Sequence, residues 1–358
     1  MNAEAQSPAA LLPAVEAEGI SKTYGPVTAL KPTSFTIPAG RYFVLLGPSG
    51  GGKTTTLRMI AGLIRPTTGR VKIAGRDVTD QPANRRDTAM VFQGYALFPH
   101  MSVEQNVAYG LELRKMSRDQ IRERTQDMLR LVGLSGFEAR RPTELSGGQQ
   151  QRVQLARALV LETSIVLLDE PLAALDATLR KDMCFELKHI QESVGTTFVH
   201  VTHNQEEAMT VADEIALIAD GTVVESGAPR QMYERPRRRF TAEFVGENAV
   251  LSGPIGPTGM RIAGTSIPVP NSERISAISV AAENVRLSPD GAAREAWALP
   301  GAVVDVFYLG FSALLHVQID GGPSIPVRLR ARDLPDGISA GTKVWVDWDV
   351  AEMRAHAD

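Results

Sequence analysis

Cysteine is almost absent from this chain of 358 residues, where Cys184 stands alone. A single thiol excludes an intrachain disulfide and a cysteine-based zinc site, and it fits a reducing compartment. Long apolar runs are missing too. The longest, such as Phe43–Leu46, Ile165–Leu168 and Ile215–Ala219, fall far short of the ~20 residues that cross a bilayer. Any membrane role is therefore expected to go through a partner. Neither sign of charge dominates: Lys+Arg 38 against Asp+Glu 41 gives −3, with 9 basic and 13 acidic side chains in residues 244–358 and 29 and 28 before them. Non-specific nucleic-acid binding rests on clustered positive charge, so no nucleic-acid partner is expected. The first residues are Ala/Glu/Pro-rich and lack a basic stretch, with Leu11-Leu12 their only apolar pair. A secretory signal is not expected, and residues 1–14 read as a disordered leader.

What is present is an ordinary globular composition, 43% hydrophobic and 22% charged, at a length that suggests two domains. Short apolar runs bounded by turn residues recur through the first 225 residues: Arg41–Leu46, Thr88–Phe92, Ile165–Asp169, Thr196–Thr202 and Ile215–Ala219. Interleaved with helical periodicity, they predict a mostly parallel α/β sheet. Residues at about 95–160 read instead as a helical subdomain, where Ile121, Thr125, Met128, Leu129 and Val132 form one apolar helix stripe. The basic run Glu234-Arg-Pro-Arg-Arg-Arg239 reads as a linker, which puts a domain boundary after residue 243. Beyond it, Pro and Gly are frequent and short alternating runs (Val303–Tyr308, Leu314–Ile319, Ser324–Leu329, Lys343–Trp348) predict a small all-β barrel over 244–358.

Residues 47–54, Gly-Pro-Ser-Gly-Gly-Gly-Lys-Thr, match G-x-x-x-x-G-K-[ST] between a strand ending at Leu46 and a helix opening at Thr55. In that context the match marks a phosphate-binding loop. Its glycines let successive N–H groups and a helix N-terminus point at bound phosphates. Gly47, Pro48, Ser49, Gly50, Gly51, Gly52 and Thr55 are thus nucleotide-binding candidates. Lys53 reaches the β- and γ-phosphates, and the Thr54 hydroxyl ligates Mg²⁺. Ile165-Val-Leu-Leu-Asp169-Glu170 delivers two carboxylates at a strand's C-terminal edge, where ligands sit in open α/β sheets. Asp169 suits the Mg²⁺ shell, and Glu170 suits the general base that activates water.

A phosphate loop leaves the task open among kinases, GTPases, helicases and transport ATPases. Leu145-Ser146-Gly147-Gly148-Gln149 narrows it, since Ser plus two glycines at a helix start makes a second anion cradle. Here the sequence resembles the ABC-transporter ATPases, whose signature LSGGQ stands in full. Tyr24 matches the family's adenine-stacking aromatic, Gln93 its Q-loop, Asp176 its D-loop and His203 its switch histidine. The resemblance covers about residues 15–245. It departs from the commonest family pattern at Gly94, at Ala173, which lacks a hydroxyl often used near the dimer interface, and at Asn204.

The resemblance implies an α/β P-loop NTPase fold, a RecA-like core with the helical subdomain, which hydrolyses ATP with Mg²⁺. It implies a head-to-tail homodimer in which Ser146, Gly147, Gly148 and Gln149 of one copy complete the phosphate loop of the other. It also implies that Gln93 contacts Mg²⁺ and the attacking water, and that His203 bonds the γ-phosphate. The β-rich C-terminal part resembles the OB-like regulatory (TOBE) domain of importer ATPases. Residues 282–287, Val306–Phe311 and Trp345–Trp348 look like the corresponding strands of spermidine/putrescine importers and their ferric-iron and aminoethylphosphonate relatives. Sugar importers share this architecture. The partners implied are two integral-membrane permease subunits and a periplasmic solute-binding protein, at the cytoplasmic face of the bacterial inner membrane. A soluble ABC ATPase acting outside transport would share the motifs, but its usual tandem cassettes or long coiled-coil insertions are missing.

Overall fold

The computed structural model describes residues 12–94, 96–269, 275–289 and 295–357. The chain divides into two compact units, Met1–Pro229 and Arg230–Asp358. The boundary expected after residue 243 falls inside the second unit; within the basic run residues 235–238 are non-helical and connect two short helices, Pro229–Glu234 and Arg239–Phe244. Most of the expected leader, residues 1–11, lies outside the described residues. Its far end is ordered: Ala14 is buried and its N–H donates to the Ile37 carbonyl at 2.8 Å.

In the first unit the elements run β1 (Val15–Tyr24), β2 (Val27–Ile37), β3 (Tyr42–Leu46), α1 (Lys53–Ile60), β4 (Thr68–Ile73), β5 (Arg76–Asp77) and β6 (Thr88–Val91). Then follow α2 (Val103–Leu113), α3 (Arg118–Leu131), α4 (Gly147–Leu159), β7 (Ile165–Asp169), α5 (Ala177–Val194), β8 (Thr197–Thr202), α6 (Gln205–Val211), β9 (Glu214–Ala219) and β10 (Thr222–Gly227). The central sheet has the order β10-β9-β3-β8-β7-β6. All its neighbours are parallel except the β9–β10 hairpin. Strands β3, β7 and β8 are buried along their whole length, which is why β3 and β7 read as continuous apolar runs rather than alternating ones. Because β3, β6, β7 and β8 are parallel, their carboxyl ends lie on one edge, and Leu46 is paired with Thr202 while Asp169 is paired with Val201. That edge collects the segments following all four strands.

A second, antiparallel sheet with the order β2-β1-β4-β5 was not legible in the sequence. Register shifts along β1 against β2 break the period-two pattern that would have revealed it. In the helical subdomain α3 buries Thr125 and Leu129, and Val132 at its end is fully buried, on the predicted stripe. Serine capping boxes open all three of its helices, at Ser102, Ser117 and Ser146.

The second unit is all antiparallel in its sheets, including the five-stranded one that contains Leu299–Tyr308, Ser312–Ile319, Ser324–Arg330 and Lys343–Asp347. Its core packs around Trp348, which is fully buried 5.0 Å from Trp297. The run 282–287 is not one strand: Ala282–Asn284 forms a 3₁₀ turn and the strand begins at Arg286.

Candidate functional site

The loop after β3 wraps tightly because glycine allows it. Gly47 has φ +152° and an added Cβ would lie 1.9 Å from the Ile218 carbonyl oxygen, while Gly52 has φ +101° and its Cβ would meet the Ala29 oxygen at 2.7 Å. Both positions exclude side chains. Lys53, 4% exposed at the head of α1, donates from Nζ to the Gly47 and Pro48 carbonyls at 2.9 and 2.8 Å. Burial pulls its pKa down, and the nearby Glu170 and Asp169 charges oppose that. The Thr54 hydroxyl donates to Asp169 Oδ1 at 3.0 Å, joining the loop to the end of β7. Asp169 is itself buried, which raises its carboxyl pKa, and Arg58 lies 3.6 Å away.

Glu170 follows β7 with φ +46°, a left-handed backbone conformation costly for a residue with a side chain. Its N–H donates to the Val201 carbonyl at 3.0 Å. Two side chains from other strand ends reach its carboxylate: Gln93 Nε2 donates to Oε2 at 3.4 Å and His203 Nδ1 lies 3.4 Å from the same oxygen. Lys53, Thr54, Gln93, Asp169, Glu170 and His203, picked out separately along the sequence, are therefore linked around one sheet edge.

Other predicted residues stand apart. Ser146 and Gln149 cap each other across the first turn of α4, and among the described residues no hydrogen bond or ion pair joins 145–149 to 47–55. Gly148 is buried, and a Cβ there would approach the Leu179 side chain at 3.3 Å. Asp176 caps α5 by accepting from the Leu179 N–H at 3.0 Å. Tyr24 is 49% exposed at the end of β1, with Lys22 Nζ 5.0 Å from its ring centre. Of the departures from the family pattern, Asn204 has a clear local use, capping α6 by accepting from the Glu207 N–H at 3.1 Å. His200 is buried, hydrogen-bonded to the Tyr42 hydroxyl at 3.1 Å, and neutral because burial lowers its pKa to about 3. Cys184 is buried with its thiol pushed up to about 12, chiefly by burial.

Several contributors escaped the sequence reading. Gln154 on α4 donates to the Phe92 and Gly94 carbonyls at 2.9 and 3.1 Å, holding the Gln93 segment from both sides. Arg180 and Glu207 pack beside the His203 loop. The Asn204-x-x-Glu207 spacing is a helix-start pattern that could have flagged the second of them. An open apolar groove of about 410 Å³ adjoins the same segment, lined by Leu63, Phe92, Phe98, Tyr109 and Leu161 among others.

Residues 30–173 match the family described as ABC transporter, and residues 278–355 match the TOBE domain. The chain belongs to the ABC transporter family, as an ATP-hydrolysing subunit of the import type with a C-terminal TOBE domain. It is 46% identical to the spermidine/putrescine import ATP-binding protein PotA of Acidothermus cellulolyticus, over 97% of this chain and 95% of that one. It is also 45% identical to the Fe(3+) ions import ATP-binding protein FbpC of Brucella abortus, over 85% and 88%. Among solved structures, the dimeric ATP-binding cassette MJ0796 bound to ADP and Pi, in a post-hydrolysis state, is 34% identical with a TM-score of 0.54, covering 60% of this chain and 99% of that one. CbiO1 from Clostridium perfringens, part of the ABC transporter complex cbiONQ, is 28% identical with a TM-score of 0.58, covering 61% and 90%.

Proposed function

We propose that this chain powers binding-protein-dependent uptake of a polyamine, spermidine or putrescine, by hydrolysing ATP in a head-to-tail homodimer docked on two permease subunits at the cytoplasmic face of the inner membrane. The observation that carries the reading is the approach of Gln93 and His203 to the Glu170 carboxylate, beside the Lys53 loop. Glu170 takes the proton of the attacking water, Gln93 orients that water, and Lys53 and the loop amides hold the phosphates whose terminal P–O bond breaks. His203 donates to the γ-phosphate, so the loops that carry Gln93 and His203 report whether it is present.

Thr54 Oγ1 and Asp169 Oδ1, 3.0 Å apart beside the loop, are hard oxygen donors that suit Mg²⁺, with Gln93 as a third. Bound there, Mg²⁺ neutralises phosphate charge. Among the described residues no hydrogen bond or ion pair links the signature at 145–149 to the loop of its own chain, which supports its use across a dimer interface. ATP between two copies then stabilises a closed pair that hydrolysis releases. The apolar groove beside Gln93 is suited to a permease segment and so couples closure to transport.

Polyamine cargo rests on the PotA relative, which matches nearly the whole chain. Ferric iron is the second reading, favoured by the comparable identity to FbpC. In cells whose only copy of this gene is intact, labelled spermidine or putrescine should accumulate, and replacement by the Glu170→Gln form should abolish it. Equal polyamine uptake with both forms, alongside ferric-iron uptake that fails in the variant, would assign the cargo to iron.

A further inference from the structure

We propose that Glu207 is a positioning residue for hydrolysis: its carboxylate ties the strand end that carries His203 to the helix that follows Asp176, so the two segments hold or shift together. The inference rests on the hydrolytic roles proposed above for Glu170 and His203. Glu207 lies on α6 with a side chain only 6% exposed. One carboxylate oxygen accepts from the Thr202 hydroxyl at 2.6 Å, and that hydroxyl accepts from the Asn204 N–H at 3.0 Å. The residue between them in sequence is His203. The other oxygen faces Arg180 Nε at 3.5 Å, and Arg180 Nη2 donates to the Leu175 carbonyl at 2.7 Å, directly before Asp176. A continuous path thus runs from Leu175 through Arg180, Glu207 and Thr202 to the backbone on either side of His203.

Packing alone does not account for this carboxylate. A buried charge costs more than a well-packed apolar side chain of the same size unless its geometry is used. Burial pushes the Glu207 carboxyl above its ordinary range, while the Thr202 hydroxyl, Arg180 and His203 pull it down and Glu170 adds to the rise. His200 Nε2 is 3.8 Å from Glu207 but neutral, which leaves Arg180 as the cation in contact. Its Nε sits at ion-pair distance without a hydrogen-bond partner among the described residues, so the pairing has room to tighten as the site closes. A polar cavity of about 50 Å³ lined by Glu170, Ala173, Arg180, His203 and Glu207 brings the base and this pairing together, and it is large enough for a water molecule.

The test is steady-state ATP hydrolysis by the full chain carrying Glu207→Ala, Glu207→Gln, Arg180→Met or the Arg180→Met/Glu207→Gln pair, with Glu170→Gln alongside and a thermal melt for each. Small misplacements of reacting groups cost up to about 100-fold in rate. Glu207→Ala should therefore lower kcat about 10- to 100-fold and leave the KM for ATP within about twofold, because the phosphate loop is untouched. Glu207→Gln still accepts from Thr202 but loses the charge facing Arg180, so its kcat should fall between Glu207→Ala and wild type. The paired variant should be no slower than the slower single one, since both act through one contact. Wild-type kcat in a folded Glu207→Ala, or in Glu207→Gln and Arg180→Met if the alanine variant does not fold, would overturn the inference. So would losses that multiply in the pair. An active Glu170→Gln would instead overturn the roles on which it rests.

Discussion

Glu170→Gln should bind ATP as the wild type does while turning over about 10²- to 10⁴-fold more slowly, the usual contribution of a positioned general base. The substitution keeps the size and planarity of the side chain, so the neighbours Gln93 and His203, both 3.4 Å from Oε2, still have a polar partner. What is lost is the capacity to accept a proton from water. The left-handed φ of +46° at this position is set by the turn out of β7 and is the same for glutamate and glutamine. Binding without hydrolysis should trap the closed pair, visible as an ATP-dependent dimer on size-exclusion chromatography. Hydrolysis by the variant at the wild-type rate would remove Glu170 from the role of base.

Lys53→Ala fails earlier, at binding. Lys53 Nζ is held against the Gly47 and Pro48 carbonyls, which places the ammonium inside the loop that cradles the phosphates. Hydrogen bonds to charged groups contribute about 1.5–3 kcal/mol, so nucleotide affinity should weaken about 10- to 100-fold, measured by titration with a fluorescent ATP analogue. The thermal midpoint should not fall, because a buried ammonium is costly in the free protein, as its lowered pKa reflects. Unchanged affinity would show that the loop amides alone carry the phosphates.

The parts of this molecule that speak in sequence are those under strict local constraint. The phosphate loop is readable because positive φ at Gly47 and Gly52 admits little besides glycine, and β3 and β7 because burial on both faces demands unbroken apolar runs. The stripe on α3 is readable for the same kind of reason. The antiparallel sheet of β1, β2, β4 and β5 was silent, since shifts in register scramble its alternation. Arg180 and Gln154 were silent because each acts through an element distant in sequence: Gln154 reaches back to Phe92 and Gly94, and the Arg180 pairing with Glu207 joins two helices, while Glu207 left only the Asn204-x-x-Glu207 spacing as a local trace. The basic run Arg235–Arg239 lies between two short helices, Pro229–Glu234 and Arg239–Phe244, so its charge marks a connection but not the point at which the first compact unit ends, Pro229.

The most direct test of the composite site is to mix two chains, one carrying Lys53→Ala and the other Ser146→Arg, and measure ATP hydrolysis at a nucleotide concentration at which neither turns over alone. If the signature of one copy completes the phosphate loop of its partner, each mixed pair holds one site with both defects and one with neither. Random pairing of a two-fold dimer then restores turnover up to about a quarter of the wild-type rate. If each chain instead builds its whole site alone, every site in the mixture carries a defect and no activity returns.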